Sequence, residues 1–120
     1  MDVLSMAVTL LHNPRCSKSR QALQWLRDRG IEPDIIEYLK TPPSAAQLRH
    51  ILNLLDLEPR ALMRRKEPIY QDAGLDDPSL ERDALIQAMI DHPILIERPI
   101  VLAHGKAVVG RPPERILEIL

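Results

Sequence analysis

Cys16 sits in the run His12-Asn13-Pro14-Arg15-Cys16-Ser17-Lys18-Ser19-Arg20, where a short apolar stretch gives way to a helical pattern, and it is the only cysteine in the chain. A thiol at a helix N-terminus faces unpaired backbone N–H groups and the positive end of the helix dipole, and both favour thiolate over thiol. His12, Arg15, Lys18 and Arg20 add cationic neighbours. Such surroundings bring a cysteine pKa from about 8.5 into the range of roughly 3.5 to 7.5 found at activated sites. A free cysteine is more often a small buried hydrophobe, and it is this setting that argues for a nucleophile instead.

Spacing separates the chemistries open to one thiolate. A dithiol oxidoreductase uses C-x-x-C so that a second thiol can resolve the mixed disulfide. Here the fourth position is Ser19, so the resolving thiol has to come from another molecule. A phosphatase of the C-x5-R type needs arginine where this chain has Ala22. A cysteine hydrolase needs a histidine base; His12, His50, His92 and His104 are available, no protease signature surrounds Cys16, and that reading stays open. An oxyanion site fits better. Arg64, Arg98 and Arg111 each stand beside an expected loop or helix end, and guanidinium forks hold tetrahedral oxyanions bidentately. Because most arginines are simply solvated, spacing alone does not single out these three.

The elements that must position these residues are readable from periodicity. Ala7 to Leu11 is an apolar run ending at His12-Asn13-Pro14, as a buried strand does where proline stops it. Ala22, Leu23 and Leu26 recur at helical spacing, so a helix is expected over 17–29 with Gly30 beyond its end. Residues 34–39 read as a second strand closed by Thr41-Pro42-Pro43. Ser44-Ala45-Ala46-Gln47 is a capping box ahead of Leu48, Ile51, Leu52 and Leu55, one face of a helix. The basic segment 60–66 reads as a short helix and Pro68-Ile69-Tyr70 as a turn. Asp77-Pro78 reads as the start of a helix burying Leu80, Ala84, Leu85, Ala88 and Met89 and ending near 91–93. Residues 100–103 and 106–109 form a hairpin about His104-Gly105, followed by a last helix presenting Ile116, Leu117 and Leu120. The order is β-α-β, then helices, then β-β-α. It predicts an α/β fold with a mixed four-stranded sheet and a helical insertion over about 44–92. In that arrangement the loops at 13–15 and 98–99 can meet.

Bulk composition narrows the partners. With 16 Lys and Arg against 17 Asp and Glu, the formal net charge is −1, which gives no global attraction to nucleic acid or anionic membrane, so any anion binding is local. Aromatic content of 2% leaves little for stacking bases, so no nucleic-acid partner is expected. One cysteine makes neither an internal disulfide nor a thiolate zinc site, which points to a reducing compartment and no bound metal. The first six residues lack a basic, apolar leader pattern, and no stretch reaches the roughly 20 apolar residues of a membrane span. One cytoplasmic domain spanning 1–120 is the expectation, with no membrane partner.

Five ordered motifs carry a family resemblance: His12-Asn13-Pro14-x-Cys16-x-x-Ser19-Arg20; Tyr38-Leu39-x-Thr41-Pro42-Pro43; Arg60-Ala61-Leu62-x-Arg64; His92-Pro93-Ile94-Leu95-Ile96-x-Arg98-Pro99-Ile100-Val101; and Gly110-Arg111-Pro112. Over residues 8–120 the chain resembles the glutaredoxin-dependent arsenate reductases. The resemblance implies a thioredoxin-like fold, with Cys16 as nucleophile and Arg64, Arg98 and Arg111 binding the arsenic oxyanion. It implies that His12 and Ser19 hold the thiolate by charge and hydrogen bonding, that Asn13 shapes the loop, and that Pro99 is a cis proline facing the cysteine. It implies no bound cofactor, with glutathione as co-substrate and glutaredoxin as protein partner. In the cycle the resemblance implies, the thiolate attacks arsenate, glutathione joins the adduct, glutaredoxin removes the glutathione from the cysteine, and arsenite is released.

The chain ends soon after its last expected helix, where the best-known reductases of the family continue, so the resemblance is to a shorter subgroup. Lys18 and the pair Arg64-Arg65 also make the site entrance more basic than an oxyanion alone requires. Two other functions stay open. One is a redox-responsive transcriptional regulator binding RNA polymerase, against which Ser19 and the arginine set both argue. The other is a generic glutathione-linked thiol reductase with no oxyanion.

Overall fold

Leucine- and valine-rich runs near both ends of the chain pair as one sheet in a computed structural model that describes residues 8–120. Strands β1 (Val8–His12), β2 (Asp34–Glu37), β3 (Ile100–Ala103) and β4 (Lys106–Val109) lie in the order β2-β1-β3-β4. β1 is parallel to β2 and antiparallel to β3, and β3 is antiparallel to β4. The parallel pair is joined through helix α1 (Ser17–Asp28), as a parallel crossover requires. β1 is central, which explains why Leu10 and Leu11 are both buried although they face opposite sides. Ala7, expected at the start of β1, and the segment before it lie outside the described residues. The β3–β4 turn has positive φ at both His104 (54°) and Gly105 (70°), the geometry of a type I′ hairpin whose twist matches its strands.

Register sets the core. Val8 faces Ala103 and Leu10 faces Val101, while Val101 in turn faces Val108. Onto this layer pack Ala22 and Leu26, one turn apart on α1, together with Ile116 and Ile119. The last helix departs from expectation. It is a 3-10 helix over Pro113–Ile119, and three residues per turn align Ile116 with Ile119 rather than with Leu117 or Leu120. Leu117 is accordingly 56% exposed and Leu120 42% exposed.

The chain forms two compact units, one comprising the chain through Thr41 with Arg98–Leu120, the other Pro42–Glu97. The first holds the sheet and is the mixed α/β arrangement anticipated from the β-α-β and β-β-α halves, in the thioredoxin-like form that the family resemblance implies. The second is helical. Its helix α2 (Ala45–Leu55) opens on the expected capping box, with Gln47 N–H donating to Ser44 Oγ at 3.1 Å and Ser44 N–H to Gln47 Oε1 at 2.8 Å. Leu48, Ile51 and Leu52 are its buried face. Residues 59–62 form a 3-10 helix in place of the expected helix over 60–66, because Met63 leaves it to bridge Ile96 and Arg64 N–H donates to Leu95 O at 2.7 Å. Pro68 opens a short helix, α3 (Pro68–Asp72), where a turn was expected. Helix α4 (Arg82–Asp91) starts later than Asp77-Pro78 suggested. Asp77 Oδ1 accepts from Ser79 N–H at 2.9 Å and Ser79 Oγ at 2.8 Å, so its capping capacity is used on a turn before the helix. The buried face is then Leu85, Ile86 and Met89, with Ala84 exposed.

Candidate active site

The chain leaves β1 at His12 and turns through Asn13-Pro14-Arg15 into α1, with Cys16 at the N-cap (φ −92°, ψ 123°). Proline cannot extend the ladder, and the turn closes on itself. Cys16 N–H donates to Asn13 O at 2.9 Å, and Arg15 N–H donates to Asn13 Oδ1 at 3.0 Å. Ser19, fully buried in the first turn of α1, ties this loop down from inside. Its Oγ accepts from Asn13 N–H at 3.0 Å and lies 2.6 Å from His12 Nδ1.

Cys16 is the N-cap residue of α1, whose second and third helical residues are Lys18 and Ser19. Burial pushes the thiol up, but a hydrogen bond from the Arg98 side chain, the Ser19 and Lys18 N–H groups and the charge of Arg98 together outweigh it. The net result is a thiol held below its ordinary value, which favours thiolate. His12 moves the other way from a cationic role. Burial lowers it below the usual 6.5, Glu37 pulls it partly back up, and Arg27 and Arg20 push it further down. Burial thus disfavours a charged His12, and of Ser19 it is the backbone N–H that acts on the thiol, with Arg98 and the Lys18 N–H.

Arg98 and Pro99 lie just before β3, whose Ile100 pairs with Leu11 of β1. That register brings Arg98 to the end of the sheet from which the Cys16 loop emerges. The Arg98–Pro99 bond is cis, as is Arg111–Pro112. Gly110 N–H donates to Pro99 O at 2.9 Å, so the backbone beside Arg111 is tied to the same proline. A Cβ on Gly110 would stand 3.3 Å from Ile116 Cδ1 and 3.4 Å from Pro99 Cγ, which is why a residue without a side chain fits there. Cys16, His12, Asn13, Ser19, Arg98, Pro99 and Arg111 thus all belong to the sheet-bearing unit. Arg64 belongs to the helical unit, where its Nε is 3.4 Å from Glu67 Oε1.

One residue not foreseen as part of the site stands at the same end of the sheet. Tyr38, directly after β2, is fully buried. Its sequence signal, an aromatic residue ending a strand, is that of a core residue. Among the described residues no group of three His, Cys, Asp or Glu side chains gathers as a metal site, and no helix is long and apolar enough to cross a membrane. The arrangement offers a thiol biased toward thiolate at the same end of the sheet as a guanidinium, a combination suited to attack on the central atom of a bound oxyanion.

Both the sequence and the fold have known relatives. The model of the ArsC family matches residues 11–119. The chain is 52% identical over 118 residues to the uncharacterized protein YfgD of Escherichia coli K12, covering 98% of this chain and 99% of that one. It is 53% identical over 114 residues to an arsenate reductase of Neisseria meningitidis serogroup B, covering 94% and 97%. Among solved structures, the arsenate reductase from Vibrio cholerae superposes with a TM-score of 0.92 at 51% identity, over 95% of this chain and 98% of that one.

Proposed function

The chain belongs to the ArsC family, and from that premise we propose that it reduces arsenate to arsenite, with Cys16 as nucleophile and with glutathione and glutaredoxin as the source of electrons. Cys16 Sγ attacks arsenic, and one arsenate oxygen leaves as water once protonated. The glutathione thiol then joins. Its sulfur couples with that of Cys16 as a mixed disulfide, each sulfur giving up one electron, and arsenic takes the pair and departs as arsenite. Glutaredoxin removes glutathione from Cys16 and returns the thiolate. No second cysteine of the chain takes part, in keeping with Ser19 at the fourth position of the motif. A reducing compartment such as the cytoplasm suits such a cycle.

The observation that carries this reading is Cys16 at the N-cap of α1, at the end of the sheet to which the β1–β3 register brings Arg98. One guanidinium carries five N–H donors, enough to favour the thiolate and also to hold arsenate oxygens against it. Arg111 and Arg64 are proposed as further oxyanion ligands on the strength of their matching motifs. Glutaredoxin-coupled consumption of reductant tests the proposal. Arg98→Ala is expected to raise KM for arsenate by about tenfold to a hundredfold, the worth of a hydrogen bond to a charged group, with Arg64→Ala and Arg111→Ala also weakened. Arg82→Ala is expected to match wild type, since Arg82 pairs with exposed Glu58. Absence of arsenate-dependent consumption by wild type, or an Arg98→Ala variant no weaker than Arg82→Ala, would overturn it.

A further inference from the structure

The parallel strands β1 and β2 end side by side, at His12 and Glu37, which pair in register. Open α/β sheets bind ligands beyond the carboxyl ends of their parallel strands, and a cleft of about 240 Å³ opens here, wholly within the sheet-bearing unit. Glu37 O accepts from Lys40 N–H and Thr41 N–H, each at 2.9 Å, in a turn that brings Leu39 and Lys40 to the cleft; Pro14 and Arg15 reach it from the Cys16 loop. The lining carries both signs of charge with capacity to spare. Among the described residues the Arg15 side chain makes no hydrogen bond or ion pair. Lys40 Nζ lies 3.6 Å from Glu37 Oε1 as an exposed pair, weak enough for either group to take a further partner. His12 is 6% exposed, and with Nδ1 committed to Ser19 Oγ at 2.6 Å its Nε2 is left unengaged in a residue that lines the cleft. Leu39, 38% exposed, and Pro14 add apolar surface.

We propose that this cleft seats the γ-glutamyl end of glutathione, with its α-carboxylate on Arg15 and Lys40, its ammonium on Glu37 and its methylenes on Leu39 and Pro14. Glutathione enters here as the thiol of the proposed reduction, on which this assignment rests. Of the two ends of the tripeptide, only the γ-glutamyl end carries an ammonium beside a carboxylate, matching a lining of two cations and one carboxylate. The glycyl end carries a carboxylate alone and would leave Glu37 without a counter-charge from the ligand. Reach is sufficient. Cys16 follows Arg15 directly, consecutive Cα atoms lie about 3.8 Å apart, and a tripeptide extends over roughly 10 Å, so an amino-acid end held by Arg15 leaves the tripeptide's sulfur within range of Cys16.

S-methylglutathione, whose blocked sulfur cannot join Cys16, is the probe. Titrated into the isotope-labelled full chain and followed by NMR, it is expected to move the amide resonances of His12, Asn13, Arg15 and residues 37–40, and to leave that of Lys106, at the opposite end of the sheet, in place. Arg15→Ala and Glu37→Gln are each expected to weaken binding about threefold to fivefold, the worth of an exposed ion pair, and Lys106→Ala to leave it unchanged. The same tripeptide without its amino group is expected to bind wild type more weakly by that factor, and to bind Glu37→Gln as well as S-methylglutathione does, since the ammonium has no partner there. Absence of binding, resonance shifts centred elsewhere, or a Glu37→Gln variant that still distinguishes the two tripeptides overturns the proposal. The titration needs no arsenate, so a wild type that binds the probe in this cleft and reduces no arsenate refutes the reduction and leaves the cleft's ligand standing.

Discussion

Replacing Ser19 by alanine removes one oxygen from the interior of the Cys16 loop, and the structure gives the cost. Ser19 Oγ meets His12 Nδ1 at 2.6 Å and Asn13 N–H at 3.0 Å, and all three residues are buried. Each hydrogen bond contributes about 1 kcal/mol net, and each buried partner left unsatisfied costs about 1–3 kcal/mol. Alanine recovers about 0.5 kcal/mol through its better helix propensity. Two orphaned partners less this gain give a loss of about 1.5–5.5 kcal/mol, a large part of the roughly 5–15 kcal/mol that holds a domain together. Urea denaturation of wild type and Ser19→Ala reads it as a lower midpoint at unchanged slope. In the same variant the alkylation profile of Cys16 is expected to move to higher pH, because the loop and first turn that aim Lys18 and Ser19 N–H at the sulfur are no longer braced. A loss below about 0.5 kcal/mol, the range of an ordinary surface change, with an unmoved alkylation profile, would refute the claim that Ser19 Oγ organises this loop.

The last helix makes a paired prediction. Ile116→Ala is expected to cost about 2–5 kcal/mol as a fully buried truncation, whereas Leu117→Ala stays within about 0.5 kcal/mol; equal losses on urea denaturation would mean that residue 117 faces the core after all. Stability should also fall in mild acid. The folded protein holds His12 below its ordinary value, so below about pH 6.5 the unfolded chain binds the proton more readily. This contribution is complete above that pH and is lost as the pH drops through the folded value. Denaturation midpoints between pH 7 and pH 5 should therefore fall less steeply in His12→Gln than in wild type, and parallel slopes would count against a buried neutral imidazole.

Much of this fold is legible before any coordinates. The apolar runs of β1, β3 and β4 are short, bounded by proline or glycine, and unlike the spacing of α1 and α2, so the element order follows from period alone. Ser44 and Gln47 announce their helix because the capping box is a local device, complete within four residues. Other positions depend on competition or context. Asp77 has the chemistry of an N-cap, but Ser79 offers it a nearer pair of donors, and the helix waits until Arg82. The final helix carries apolar residues at both α and 3-10 spacings, and only packing on the sheet decides that Ile116 and Ile119 are the buried pair. At the site, Cys16 stands out through its helix start, whereas Arg98 is one arginine among many until sheet register carries it to the same loop.

The central claim is that Cys16 supplies one electron of the reduction and a foreign thiol the other. Mass analysis of the protein after a single turnover with glutathione, in the presence and absence of arsenate and without glutaredoxin, tests it most directly. The expected result is glutathione attached to Cys16 only when arsenate is present, with arsenite formed in equal amount, and neither product from Cys16→Ser. Arsenite made equally well by Cys16→Ser, or a Cys16 that stays free of glutathione while arsenite accumulates, would contradict it.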